Sequence, residues 1–117
     1  MKATSKSHTT RHQNGPTCLV LEYGGNRDID GAVAEINGRY PQDGWAKNTV
    51  STEQVFVISG SGSIVTKNVT KTLGQEDTLL IEPNEPYFIE GDNLRIFISC
   101  SPAWSPDQYE IENGTSK

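Results

Sequence analysis

Histidine is nearly missing from this sequence: His8 and His12 are the only two, and none follows them. Without imidazole in the body of the chain there is no Ser-His-Asp triad and nothing to activate a cysteine, which closes the common nucleophilic routes to hydrolysis. Cysteine is equally scarce. Cys18 and Cys100 are too few and too far apart for a zinc knuckle or a disulfide framework, and they read as two half-buried thiols in a reducing compartment. Positive charge is the third deficit, with 10 Lys and Arg against 15 Asp and Glu and a net charge of -5. That balance argues against a nucleic-acid partner and against anionic membrane surfaces, because both grips depend on clustered cations. No apolar run approaches the roughly 20 residues a bilayer crossing needs, and residues 1–16 lack the apolar stretch of a secretory signal. A cytoplasmic location is the expectation. Asn68-Val69-Thr70 and Asn113-Gly114-Thr115 then fit the glycosylation pattern only by accident.

What is present is organised. The 117 residues have room for one domain, and although only 33% are hydrophobic, the apolar ones gather between Thr17 and Cys100. The first sixteen, MKATSKSHTTRHQNGP, carry almost nothing apolar and are predicted to be a disordered polar tail. Residues 17–111 are predicted to form the domain, with 112–117 frayed. Short strands are predicted over Thr17–Tyr23, Asp30–Asn37, Gln54–Ser59, Ser63–Thr66, Thr78–Ile81, Tyr87–Glu90 and Leu94–Cys100. Gly60-Ser61-Gly62 reads as a hairpin turn and Gly91-Asp92-Asn93 as another. No stretch has sustained helical periodicity, so the fold class is all-β, a sandwich or barrel. Its predicted core is Val33, Ile36, Val55, Val57, Ile64, Leu79, Ile81, Ile89, Leu94, Ile96 and Ile98. The segment after Ser101, with Pro102, Trp104, Pro106 and Tyr109, is predicted to strap onto the barrel.

Two blocks between Gly44 and Ser101 resemble the signature motifs of the cupin superfamily. In the first, Glu53 stands before QVFVIS and Gly60, which is the family spacing; in the second, Asp77, Ile81 and Pro83 match. Asn84 replaces the family's Gly, and Asn tolerates the left-handed backbone that position uses. The resemblance implies a cupin-type double-stranded β-helix, a jelly-roll barrel. It also implies where a divalent metal would sit, and the residues there are wrong for one. The family's His-x-His falls on Ala46-Lys47-Asn48 or Lys47-Asn48-Thr49, and the second-block His falls on Tyr87. Only Glu53 of the usual ligands is kept, so no metal and no cofactor are expected. A site rebuilt from oxygens, using Glu53 with Asn48 or Tyr87, is the weaker alternative.

Alternation places Glu53, Val55 and Val57 on one strand face, which the resemblance makes the barrel interior. Tyr87 points into the same space, so Glu53 and Tyr87 are the candidate acid and base. The stretch Arg39 to Asn48 leads into the first block as a lip, and its Arg39, Tyr40, Trp45, Lys47 and Asn48 are candidate ligand-binding residues. Duller roles compete: an ion pair of Glu53 with Lys47 or Arg39, Tyr87 as core filler, Trp45 and Trp104 as plugs at the barrel ends. Two functions follow. One is a module that binds a small polar ligand of the sugar or organic-acid class without metal. The other is a metal-independent sugar isomerase, epimerase or lyase working through Glu53 and Tyr87. Phe56, Ile58, Phe88 and Phe97 alternate away from the pocket, and covering them predicts a homodimer, with Thr17–Tyr23 adding a strand across it.

Overall fold

The computed structural model describes residues 1–113, and strands dominate them: β1 Thr10–Asn14, β2 Cys18–Gly25, β3 Asp30–Tyr40, β4 Trp45–Asn48, β5 Thr52–Thr66, β6 Thr70–Leu73, β7 Thr78–Ile81, β8 Tyr87–Ser101 and β9 Tyr109–Glu112. Two short 3₁₀ turns, Lys6–His8 and Pro106–Gln108, complete the regular structure. Alternation explains the strands. On β5 Glu53, Val55 and Val57 are buried between exposed Gln54 and Phe56, as a pleated strand with one covered face requires.

The spine is the antiparallel pair β5 and β8, matched from Thr52 opposite Ser101 to Thr66 opposite Tyr87. On the far side of β5, β7 pairs its first half and β6 its second. On the far side of β8 the order runs β3, β2, β1, while β4 joins β8 at Ala46 opposite Tyr87 and carries β9. The all-β expectation holds.

Both expected glycine turns are absent, because β5 and β8 run straight through them as single strands. Gly60, at φ +81°, comes so close to β8 that a Cβ there would lie 2.0 Å from the Asn93 carbonyl oxygen, and the β5–β8 register shifts on either side of Ser59. Glycine here permits bend and close approach within a ladder, a role it shares with turns. Asn84 has φ +66°, the left-handed geometry its place in the second block called for.

The first sixteen residues are not a disordered tail. Thr10–Asn14 pairs with β2 from Thr10 opposite Glu22 to Asn14 opposite Cys18, although all five of its residues are exposed. Their composition hid this strand because it is held by the backbone ladder, which needs no apolar side chains. β2 is thereby committed on both edges within its own chain, so it cannot add across a dimer as expected. β9 extends to Glu112, where fraying was expected to begin; positions 114–117 of that predicted fray lie outside the described residues.

Ile36, Val55, Val57, Ile64, Ile81, Ile89, Leu94 and Ile96 form one buried cluster, with Leu79 and Ile98 packed on it. Val33 departs from that set. It is buried, but on the opposite face of β3 from Ala32, Ala34 and Ile36, in register with Leu21 and Phe97. The short strands β4, β6 and β9 went unread in the sequence because four residues carry little alternation and none of the three has the large apolar run that marks TLLI in β7.

Candidate functional site

Glu53 is the second residue of β5, opposite Cys100 on β8 and Ile81 on β7, and it is only 6% exposed. A cavity of about 200 Å³, small beside the usual ligand pocket, opens beside it. Ala34, Ile36, Ile89, Ile96 and Ile98 form its apolar floor. Glu53, Tyr40, Tyr87, Asn48 and Cys100 supply polar groups on its walls, and Tyr109, Trp104, Asp30, Glu22 and Asn14 stand toward the mouth.

The polar groups are paired with one another. Cys100 donates its thiol to Glu53 Oε2 at 3.4 Å. The hydroxyls of Tyr40 and Tyr109 share a 2.6 Å hydrogen bond, and the Trp104 indole N–H donates to Asn48 Oδ1 at 2.8 Å. Burial pushes the Glu53 carboxyl above its ordinary pKa, against the opposing pull of hydrogen bonds from Cys100, Asn48 and Tyr87, while the charge of Asp30 pushes it further up. Burial, then the charge of Glu53, raises Tyr87 well above the usual phenol range. Cys100 is raised by the same two causes, and burial pushes the Cys18 thiol up to about 12. Both thiols are therefore held as protonated, unreactive groups at neutral pH.

Of the residues singled out from sequence, Glu53, Tyr87, Tyr40 and Asn48 meet at the cavity. Arg39, Trp45 and Lys47 do not. Arg39 and Lys47 each neighbour a residue that does line it, and strand alternation turns them to the other face: Tyr40 goes in and Arg39 out on β3, Asn48 in and Lys47 out on β4, with Trp45 on the same face as Lys47. Arg39 donates to the carbonyls of Pro41 and Gly44 at 2.7 and 3.0 Å and lies 3.9 Å over the Phe88 ring, which Trp45 meets edge-on at 5.1 Å. Lys47 pairs with Glu112 at 3.4 Å and Glu110 at 3.8 Å, so Glu53 has neither cation as partner. Trp45 thus packs on the outside of the barrel rather than plugging an end. Alternation within the lip was the signal that separates these residues.

Asp30, Trp104 and Tyr109 were not read as site residues. The aromatics arrive on the strap after β8, which is fastened by Gln108: its Oε1 accepts from the backbone N–H of Val50 and Ser51 at 3.1 and 2.8 Å, and its Nε2 donates to Ser51 Oγ at 2.9 Å. Ser51 Oγ in turn donates to the Pro102 carbonyl at 2.7 Å. An aromatic in a proline-rich tail was the available clue.

No protein-family model matches this chain, and no curated protein matches it in sequence. Solved structures do match in shape. Pac13, described as a nucleoside dehydratase, superposes with a TM-score of 0.86 at 14% identity, covering 99% of this chain and 94% of its own. A histidine-to-glutamine variant of Streptomyces Pac13 with uridine gives 0.84 at 16% identity, again over 99% and 94%. KdgF from Halomonas sp. gives 0.76 at 9% identity over 91% and 98%, and an RmlC-like cupin from Shewanella frigidimarina gives 0.74 at 15% over 92% and 96%. The fold is the double-stranded β-helix of the small cupins.

Cupins that use a metal hold it with imidazoles and one carboxylate, and the donors here do not match that set. Glu53 is joined by a phenol, an amide and a protonated thiol, and among the described residues no three His, Cys, Asp or Glu converge as metal ligands.

Proposed function

We propose that this small-cupin barrel binds a neutral, hydroxyl-rich ligand of the sugar or nucleoside class without the help of a metal. The observation that carries the reading is the character of the lining. Glu22, Asp30 and Glu53 contribute carboxyls, Tyr40, Tyr87 and Tyr109 contribute hydroxyls, and no Lys or Arg is among the lining residues. Carboxylates and phenols accept and donate hydrogen bonds to hydroxyl groups, whereas a carboxylate or phosphate ligand would meet like charge. Of the two ligand classes expected from sequence, sugars are therefore favoured over organic acids. Trp104 and the tyrosines add faces on which a ring can stack. The uridine held by the Pac13 variants is a ligand of this kind.

Metal-independent proton transfer on such a ligand is the second reading, favoured by the burial-raised Glu53 beside Tyr87. Glu53 would take a proton from carbon and Tyr87 would donate one to the departing or enolising oxygen. The homodimer is retained as a proposal, now resting on Phe56, Ile58 and Phe97, since Phe88 is already covered by Arg39 and Trp45.

Calorimetry with ribose, uridine, gluconate and ribose phosphate tests the ligand class. Binding of the neutral pair that Glu53→Gln weakens supports it, and a preference for the acids or phosphates overturns it.

A further inference from the structure

Trp104 donates to two side-chain oxygens at once, a carboxylate and an amide. Its backbone N–H donates to Asp30 Oδ2 at 3.0 Å, and its indole N–H donates to Asn48 Oδ1 at 2.8 Å. An amide has one oxygen and one NH2 group, so engaging the oxygen decides which way the NH2 group faces. Asn48 is 5% exposed and lines the same cavity as Glu53, which leaves its NH2 group available to that carboxyl, whose pKa Asn48 lowers. The main chain of Asn48 is pinned as well, its carbonyl accepting from the Asn84 N–H at 2.7 Å.

We propose that Trp104 is a positioning residue for Glu53: by occupying Asn48 Oδ1 it fixes the amide with its NH2 toward the carboxylate, so that docking of the strap after β8 sets the charge carried at the pocket wall.

The surroundings make this amide count. Asp30 and Tyr40 of β3, Tyr87 and Cys100 of β8 and Tyr109 of β9 act on Glu53, and every one is an acid; at the rim Glu22 is already paired with His12. With no cation among these neighbours, the ionised carboxylate depends on neutral donors, of which Cys100, Asn48 and Tyr87 are the ones present. Asn48 alone among them would present its oxygen instead if its amide turned over, replacing attraction with repulsion. The strap is in turn held at both ends, by Ser101 Oγ on the Asp28 carbonyl at 2.9 Å and by Gln108 on Ser51. Trp104 cannot drift without breaking those bonds.

The inference rests on Glu53 being the ligand-facing carboxylate, but its test needs no ligand, so the two can fail separately. In protein labelled with carbon-13 at the glutamate carboxyls, the Glu53 signal is the one lost in Glu53→Gln. Trp104→Phe, which keeps a ring and removes the N–H, should move its titration midpoint upward, and Asn48→Leu should do the same. The double variant should add little to either, since both act through one amide. In the unaltered protein the indole N–H resonance should titrate with the Glu53 midpoint, and Glu53→Gln should abolish that titration. A Trp104→Phe protein whose melting temperature falls while the Glu53 midpoint stays in place overturns the proposal, as does an indole signal indifferent to Glu53→Gln.

Discussion

Phe56 on β5 stands directly opposite Phe97 on β8, and the two rings remain 40% and 38% exposed on the face turned away from the pocket. A phenylalanine pair in that position would gain roughly 1.5 to 3 kcal/mol per side chain from being covered. Light scattering at micromolar concentration should therefore give twice the 12.8 kDa chain mass. Phe56→Glu should return it to the single-chain mass with the circular dichroism of strands intact. A wild-type monomer would leave this face without its proposed partner.

Glu53 imposes a pH dependence on stability. Its folded pKa is raised above the unfolded value by burial, so between the two values the folded state binds the proton more tightly. Stability from this group is thus complete below the ordinary carboxylate pKa and declines as pH rises through the folded value. Asp30, raised chiefly by burial too, acts in the same direction. Glu53→Gln should remove the Glu53 share and, at pH 7, stabilise the fold by about 0.5 to 2 kcal/mol, as relief of a strained functional site commonly does. Thermal melts of both proteins from pH 4 to 8 read the difference; a variant that is less stable at pH 7 than at pH 4, relative to wild type, contradicts it.

The two neighbours Lys47 and Asn48 should behave oppositely. Lys47→Ala breaks half-exposed ion pairs with Glu110 and Glu112 and should change stability by less than about 1 kcal/mol while leaving ligand affinity alone. Asn48→Ala should weaken ligand binding by about tenfold or more, the usual loss when a buried polar partner is left unpaired. Equal effects of the two on affinity would show that β4 presents both faces to the ligand.

Removing residues 1–14 deletes β1 and uncovers the edge of β2, including Leu21 at 5% and Cys18 at 2% exposure. The melting temperature should fall by more than about 5 °C, equivalent to roughly 1 kcal/mol in a domain of this size. An unchanged melt would mean that the β1 ladder contributes nothing.

The sequence revealed most about residues that alternate strongly. Glu53, Val55, Val57 and Ile89 announced both the barrel and the inward face, since each is a buried position flanked by less buried ones. β1 stayed hidden because its stability lies in backbone hydrogen bonds and its five side chains all face water. Arg39, Trp45 and Lys47 looked like ligand groups by chemistry alone; pleating, applied to Arg39-Tyr40 and Lys47-Asn48, separates inside from outside. Trp104 and Tyr109 were expected on a strap against the barrel, but their place at the pocket went unread, because their contacts with Asn48 and Tyr40 join segments far apart in the chain. The strap's prolines and aromatics indicate that it packs, and nothing local in it names Asn48 or Tyr40 as the partner.

The long β5–β8 register also orders events in time. At one end Thr66 faces Tyr87 across the shortest stretch of intervening chain, and at the other Thr52 faces Ser101 across the longest. Closing the shorter loop loses less entropy, so pairing should begin at Thr66 and zip toward Thr52. Glu53 and Cys100 are the second pair from the far end. The wall of the pocket is then among the last parts of the spine to form and the first to open when that end loosens, and pulsed hydrogen exchange should find the amides of Ile64 and Val65 protected before those of Glu53 and Gln54.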